Sequence, residues 1–270
     1  MMESHLQFAV HLSGKRRPDE DAIATTNNCV AVLDGVTLLH QDPYPVPSPA
    51  AEAAEQGAHA AIEYALAHVR EPDFLTGCFA AANQTIQRLN IDLGITSETV
   101  DFLNVQYAAA VGAVACFEDP VLHYGQVNDC GVMLCGPDGS LIDELIVDKG
   151  DIAAYLEAVR ATGRLHAGSR EEHVFVRRYL INNPKVPFSE YVLTGEEVAI
   201  NGVCTRKIVV QEPLKVLVYS DGFIPLLDSA DFREKILRAV DGDEASIYAG
   251  QAMTEGSHTS EASLAVLSID

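Results

Sequence analysis

Apolar positions repeat along this chain with two periods. Residues 6–12 and the run CVAVL at 29–33 read as strands, the second running into Asp34-Gly35. A Pro-rich stretch, HQDPYPVPSP, follows and closes on Ser48-Pro49. Ser as N-cap with Pro at the first helical position predicts a helix start there. Ala51, Ala54, Ala58, Ile62, Ala65, Leu66 and Val69 then recur at helical spacing. A second helix is predicted from about Pro72, with Leu75, Cys78, Phe79, Ala82, Ile86 and Leu89 on one face.

From residue 104 the period shortens. NVQYAAAVGAVACF, VLHYGQV, GVMLC and SLIDELIV read as consecutive strands. The breaks between them, Glu118-Asp119-Pro120, Asn128-Asp129 and Gly136-Pro137-Asp138-Gly139, carry turn chemistry. Residues 150–181 read as helix in two pieces, and 191–210 as a strand pair. VLVYS runs into Asp221-Gly222, helices are predicted over 231–240 and 243–253, and SLAVLSI forms a last strand. Strands joined by short turns pair antiparallel, so the class is α+β with layered sheets in one domain over 1–270. No GxGxxG or GxxxxGK[ST] points to a nucleotide-binding sheet.

Charge narrows the partners. The chain has 18 basic and 39 acidic residues, a formal net charge of −21. Such a surface repels nucleic acid and anionic membranes. No apolar run approaches the roughly 18 residues that span a bilayer, and the first residues show no secretory pattern. A cytoplasmic location is therefore expected; the oligomeric state is left open. The six cysteines are scattered without a CxxC pair, which reads as free thiols and not as a zinc site. There is no GxSxG elbow and no HExxH, and the nine histidines are dispersed.

The chemistry is carried by acids at strand ends: Glu20-Asp21, Asp34-Gly35 and Asp221-Gly222. Asp-Gly after an apolar run is usually a hairpin turn. Here neither VTLLHQDPYPVP nor FIPLLDS looks like a returning strand, so each Asp is delivered to the mouth of a buried strand. Carboxylates there need a partner or a metal. Oxygen-only ligands select Mg²⁺ or Mn²⁺. Two such ions about 4 Å apart orient a water and stabilise phosphoryl oxygens during in-line attack. Glycine beside a ligand Asp leaves room for a backbone carbonyl to approach an ion.

The order Arg16-RPDEDA, VAVLDG, YGQVNDCGVML and VLVYSDGF resembles the protein phosphatase 2C family. The resemblance spans nearly the whole chain and implies a four-layer αββα sandwich, two antiparallel sheets flanked by helix pairs. It implies a metal-dependent phosphatase of phosphoserine and phosphothreonine in a phosphoprotein substrate. By that resemblance Asp34 bridges two Mn²⁺ or Mg²⁺ ions, Gly35 adds its carbonyl and Asp221 holds one ion. Glu20 and Asp21 act through waters, Asp129 helps hold a third, weaker ion, and Arg16 grips the phosphate.

Three departures stand out. Ser260-Glu261 replaces a closing Asp pair, putting Ser260 at a ligand position. Glu261, or less readily His258, is the acid or imidazole near enough to reach instead. Strand alternation argues against Glu261 unless 256–261 stay a loop, so a water-filled position and a weakly held second ion are expected. Val36-Thr37 follows the first Asp-Gly, and the mid-chain turn reads Asn-Asp-Cys-Gly. A pseudophosphatase on the same fold, or a phosphatase of small phosphometabolites, fits the same sequence.

Overall fold

The computed structural model describes residues 2–14, 19–36, 47–96, 99, 107–146, 150–187, 189–255 and 261–270. Arg16, His258 and Ser260 lie outside these residues. Among the described residues, ten strands form two five-stranded sheets. One has the order β1 (Ser4–Leu12), β10 (Ala262–Ile269), β9 (Leu214–Tyr219), β6 (Gly131–Cys135), β7 (Leu141–Leu145). The other runs β2 (Asp21–Thr25), β3 (Cys29–Gly35), β4 (Ala110–Glu118), β5 (Val121–Val127), β8 (Cys204–Val209). Every pairing in both is antiparallel.

Side-chain alternation assigns each strand face to a layer. Val30 and Val32 of β3 pack with Val132, Val216 and Ala265 between the sheets. Ala31 and Leu33 face the other way, against α1 (Pro49–His68) and α2 (Phe74–Asp92). On the far side, Met133 and Leu217 meet α5 (Ile224–Leu227), α6 (Ala230–Arg238) and α7 (Gly242–Glu255). The result is the expected helix–sheet–sheet–helix stack. Helices α3 (Gly150–Ala161) and α4 (Arg170–Tyr179) are clamped by Arg160, which reaches Glu172 at 2.6 and 2.8 Å.

The N-cap at Ser48 forms as predicted, its hydroxyl accepting from the Ala51 N–H at 3.0 Å. The second helix begins at Phe74, not Pro72, after Asp73 in the left-handed region at φ 59°. Antiparallel packing of α1 on α2 is tight: a Cβ on Gly57 would meet Leu33, Ala82 and Ile86, and one on Gly77 would meet Tyr64.

Three expectations are corrected. A strand at 21–25, absent from the sequence reading, pairs with β3; DAIAT is too short and too little alternating to signal itself. The run at 104 becomes strand only from Ala110. The strand pair at 191–210 is one strand, β8, preceded by a 3-10 turn at Glu197–Gly202. The earlier segment instead makes isolated bridges, Ala110 to Leu193 and Ile181 to Glu190.

Candidate metal centre

Four strand ends meet at one mouth of the space between the sheets. Asp34 has the parity of Val30 and Val32, so it faces between the sheets. Asp21 is its direct partner across the β2–β3 ladder and shares the parity of Ile23. Asp221 follows β9, and Glu261 is the residue before β10. One ligand-type oxygen from each of Asp21, Asp34 and Glu261 lies within 4.8 Å of the others.

Hydrogen bonds anchor Asp21, Glu261 and Glu20. Ser220 Oγ donates to Asp21 Oδ2 at 2.6 Å and itself accepts from the Ser263 N–H at 2.9 Å. The Ser220 N–H donates to the Ser263 carbonyl at 2.9 Å, joining the ends of β9 and β10. Glu261 Oε2 accepts from the Glu20 N–H at 2.6 Å and the Asp21 N–H at 3.2 Å. Glu20 faces the helix layer: its buried carboxylate accepts from Ser48 Oγ at 2.5 Å. Glu20 brings its backbone N–H to Glu261, and its charge also acts on Glu261.

The two flanking glycines let these chains approach. A Cβ on Gly35 would stand 2.6 Å from the Ala50 carbonyl oxygen and 2.9 Å from that of Glu20. On Gly222 it would stand 2.0 Å from the Glu261 carbonyl oxygen. Gly222 therefore sets Glu261 against the Asp221 turn.

Burial and mutual repulsion disfavour charge on these acids. Desolvation, then the charges of Asp21, Asp221, Asp129 and Glu261, hold the Asp34 carboxyl well above the usual range. Burial raises Asp21 despite hydrogen bonds from Ser220 and Ser263. Burial and the Asp21 charge push Glu261 up to about 7. The Cys130 thiol, buried beside Asp34 and Asp129, is raised so far that it stays protonated. Asp21 Oδ1 is buried with no hydrogen-bond partner. An orphaned carboxylate oxygen amid converging acids, all oxygen donors, fits a hard divalent cation.

Of the residues that sequence reasoning named, Glu20, Asp21, Asp34, Gly35, Asp129, Asp221 and Glu261, the structure sets Asp21, Asp34 and Glu261 within 4.8 Å of one another, and the charges of Asp129 and Asp221 act on Asp34. Ser260, where a water-filled position is expected, lies outside the described residues; Glu261 presents a carboxylate oxygen to Asp21 and Asp34. Counting back from Ala265 and Ser263, Glu261 has the inter-sheet parity, so alternation puts it toward Asp21. The reading missed Ser220 and Ser263, whose signal was position beside Asp221 and Glu261. It also missed His11 and Asp19, which join Glu261 in a second group of ligand-type atoms. Positions 11, 19 and 261 share no local motif.

No protein-family model matches the chain, and no curated protein matches it in sequence. Solved structures match it over its length. The catalytic domain of the serine/threonine protein phosphatase PstP, in complex with two manganese ions, aligns at TM-score 0.62 and 17% identity, covering 100% of this chain and 99% of that one. The chain has the protein phosphatase 2C fold. The PPM Ser-Thr phosphatase MsPP from Mycobacterium smegmatis, in complex with cacodylate, shares the fold at TM-score 0.59 and 16% identity, covering 96% of each chain. PppA, a regulatory component of T6SS in Pseudomonas aeruginosa, does so at 0.62 and 13%, covering 98% of this chain and 96% of that one. In this protein phosphatase 2C fold, the acid cluster occupies the mouth between the two sheets. No helix among the described residues is long and apolar enough to cross a membrane.

Proposed function

We propose that this protein is a metal-dependent phosphatase that hydrolyses phosphoserine and phosphothreonine esters at the mouth between its sheets. The observation that carries the reading is Asp34, on which four other carboxylates press. So many converging acids are costly unless a cation balances them. Asp34, Asp21, Asp221 and Glu261 are the residues that would hold Mn²⁺ or Mg²⁺, with Asp129 beside them for a further, weaker ion. When bound, such ions supply a water of lowered pKa and positive charge for the phosphoryl oxygens.

The chain's own residues do the positioning. Ser220 fixes the rotamer of Asp21. The Glu20 and Asp21 N–H groups hold one oxygen of Glu261 and leave the other for an ion. Gly35 keeps the first turn of α1 against β3, and its carbonyl would add a backbone oxygen ligand. Arg16, between β1 and Asp19, is assigned to the phosphate, because a guanidinium fork matches two phosphoryl oxygens.

The solved phosphatases that share the fold, one with two manganese ions, support this reading. The test is hydrolysis of p-nitrophenyl phosphate with Mn²⁺ or Mg²⁺ against EDTA, followed by phosphopeptides and small phosphate esters. Metal-dependent turnover with preference for phosphopeptides is expected. Turnover of small esters alone would shift the substrate class. Absence of both turnover and ion binding would favour a binding module on the same fold.

A further inference from the structure

A second group of ligand-type atoms stands on the rim of the carboxylate cluster. His11, at the end of β1, Asp19, before β2, and Glu261 each present one such atom, all within 4.8 Å of one another. Each is also held from outside the group. His11 Nδ1 lies 2.9 Å from Ser263 Oγ, a buried hydroxyl directly across the β1–β10 ladder. Asp19 accepts from Ser13 Oγ at 2.8 Å and from the Gly14 N–H at 3.1 Å. Glu261 Oε2 accepts from the Glu20 and Asp21 N–H groups at 2.6 and 3.2 Å.

With Nδ1 engaged by Ser263, Nε2 is the ring nitrogen turned toward the acids, 3.3 Å from Asp19 Oδ2. Metal-binding histidines are held in this way: one nitrogen is fixed by an outer partner so that the other aims at the ion. The donors also differ in kind from the oxygen-only cluster beside them. An imidazole nitrogen with two carboxylates suits a borderline transition cation, whereas Mg²⁺ keeps to oxygen. Asp19 and the shared Glu261 supply negative charge to a divalent ion there, and the imidazole adds a neutral donor.

We propose that His11, Asp19 and Glu261 bind a divalent transition cation of the Zn²⁺ or Co²⁺ type, in a site that adjoins the Asp21–Asp34 centre and shares Glu261 with it. It needs the proposed phosphatase centre only as a neighbour, and does not depend on turnover. The competing arrangement is a protonated His11 paired with Asp19 and no ion.

Co²⁺ separates the two, because its visible absorption changes when it leaves water for protein ligands, and the His11 variants show whether the imidazole is one of them. The full chain, stripped with chelator and kept in excess Mg²⁺, is titrated with Co²⁺ and followed by absorption and calorimetry. One Co²⁺ that Mg²⁺ does not displace is expected. His11→Ala and Asp19→Asn should weaken it by ~10–100-fold, while Asp34→Asn retains it. His11→Gln covers the case in which His11→Ala fails to fold, and should show the same loss. Wild-type-like Co²⁺ binding in the His11 and Asp19 variants, or Co²⁺ lost in Asp34→Asn, would overturn the rim site and leave the phosphatase reading standing. A wild-type chain that retains no Co²⁺ over Mg²⁺ would overturn it as well.

Discussion

Asp21 and Asp34 face each other directly across the β2–β3 ladder, both turned toward the space between the sheets. Like charges in direct cross-strand register repel, and here a third carboxylate, Glu261, stands within 4.8 Å of both. The strands hold the acids in place, so the repulsion is carried by the folded state until a cation or a proton relieves it.

That strain gives the metal-free protein a pH dependence of definite sign. Glu261 titrates from 4.5 when exposed to about 7 when folded, and Asp34 and Asp21 are raised from 3.8. Groups raised on folding bind more protons in the native state, so their contribution is present below the unfolded pKa and is lost as pH rises through the folded one. In EDTA, the melting temperature should fall between about pH 4.5 and about pH 7. Saturating Mn²⁺ should abolish most of that fall. Asp34→Asn should flatten the EDTA profile. An EDTA profile that rises across this window, or is unaltered in Asp34→Asn, would contradict the cluster.

Glu261→Gln should split stability from affinity. A Gln oxygen still accepts from the Glu20 and Asp21 N–H groups, so the anchor survives. The removed charge relieves Asp21 and Asp34. Melting in EDTA at neutral pH should be unchanged or higher, while Mn²⁺ affinity by calorimetry drops by ~10-fold or more. Equal Mn²⁺ affinity in the variant would remove Glu261 from the ligands.

Ser220 couples the two sheets at the site, donating to Asp21 and accepting from the Ser263 N–H while fully buried. Ser220→Ala strands both partners. A loss of about 1–3 kcal/mol in denaturant unfolding is expected, together with weaker Mn²⁺ binding. A variant as stable as wild type would mean that water replaces the hydroxyl.

Gly222→Ala tests the placement of Glu261 from the backbone side. A Cβ 2.0 Å from the Glu261 carbonyl oxygen forces the β10 entry to shift. Overpacking of this kind costs about 1–3 kcal/mol, and Mn²⁺ affinity should fall with it. Wild-type affinity in a stably folded variant would show that Glu261 does not need this contact.

The sequence was most legible where local rules act alone. Ser48-Pro49 caps a helix whatever surrounds it, and VLHYGQV and GVMLC are strands as read. Asp34 and Asp221 were legible because an apolar run ended on each without a returning strand. What was not legible depends on register between distant strands. Asp21 is named by its motif, but its place directly opposite Asp34 depends on β2, a five-residue strand that the pattern does not show, and on its register with β3. Alternation counted from Ser260 argues against Glu261 as a ligand. Counted from the buried β10 residues, alternation favours it. His11 reaches the site only because β1 pairs with β10, residues 252 positions apart along the chain.

The central claim is that Asp34 anchors a divalent-metal centre that hydrolyses phosphate esters. The most direct test is the rate of p-nitrophenyl phosphate hydrolysis against Mn²⁺ concentration, for wild type and Asp34→Asn in parallel. The account predicts Mn²⁺-dependent turnover in wild type that EDTA abolishes, and a loss of ~10²-fold or more in Asp34→Asn, in line with removing a main electrostatic contributor. Turnover in Asp34→Asn equal to wild type, or hydrolysis that persists in EDTA, would contradict it.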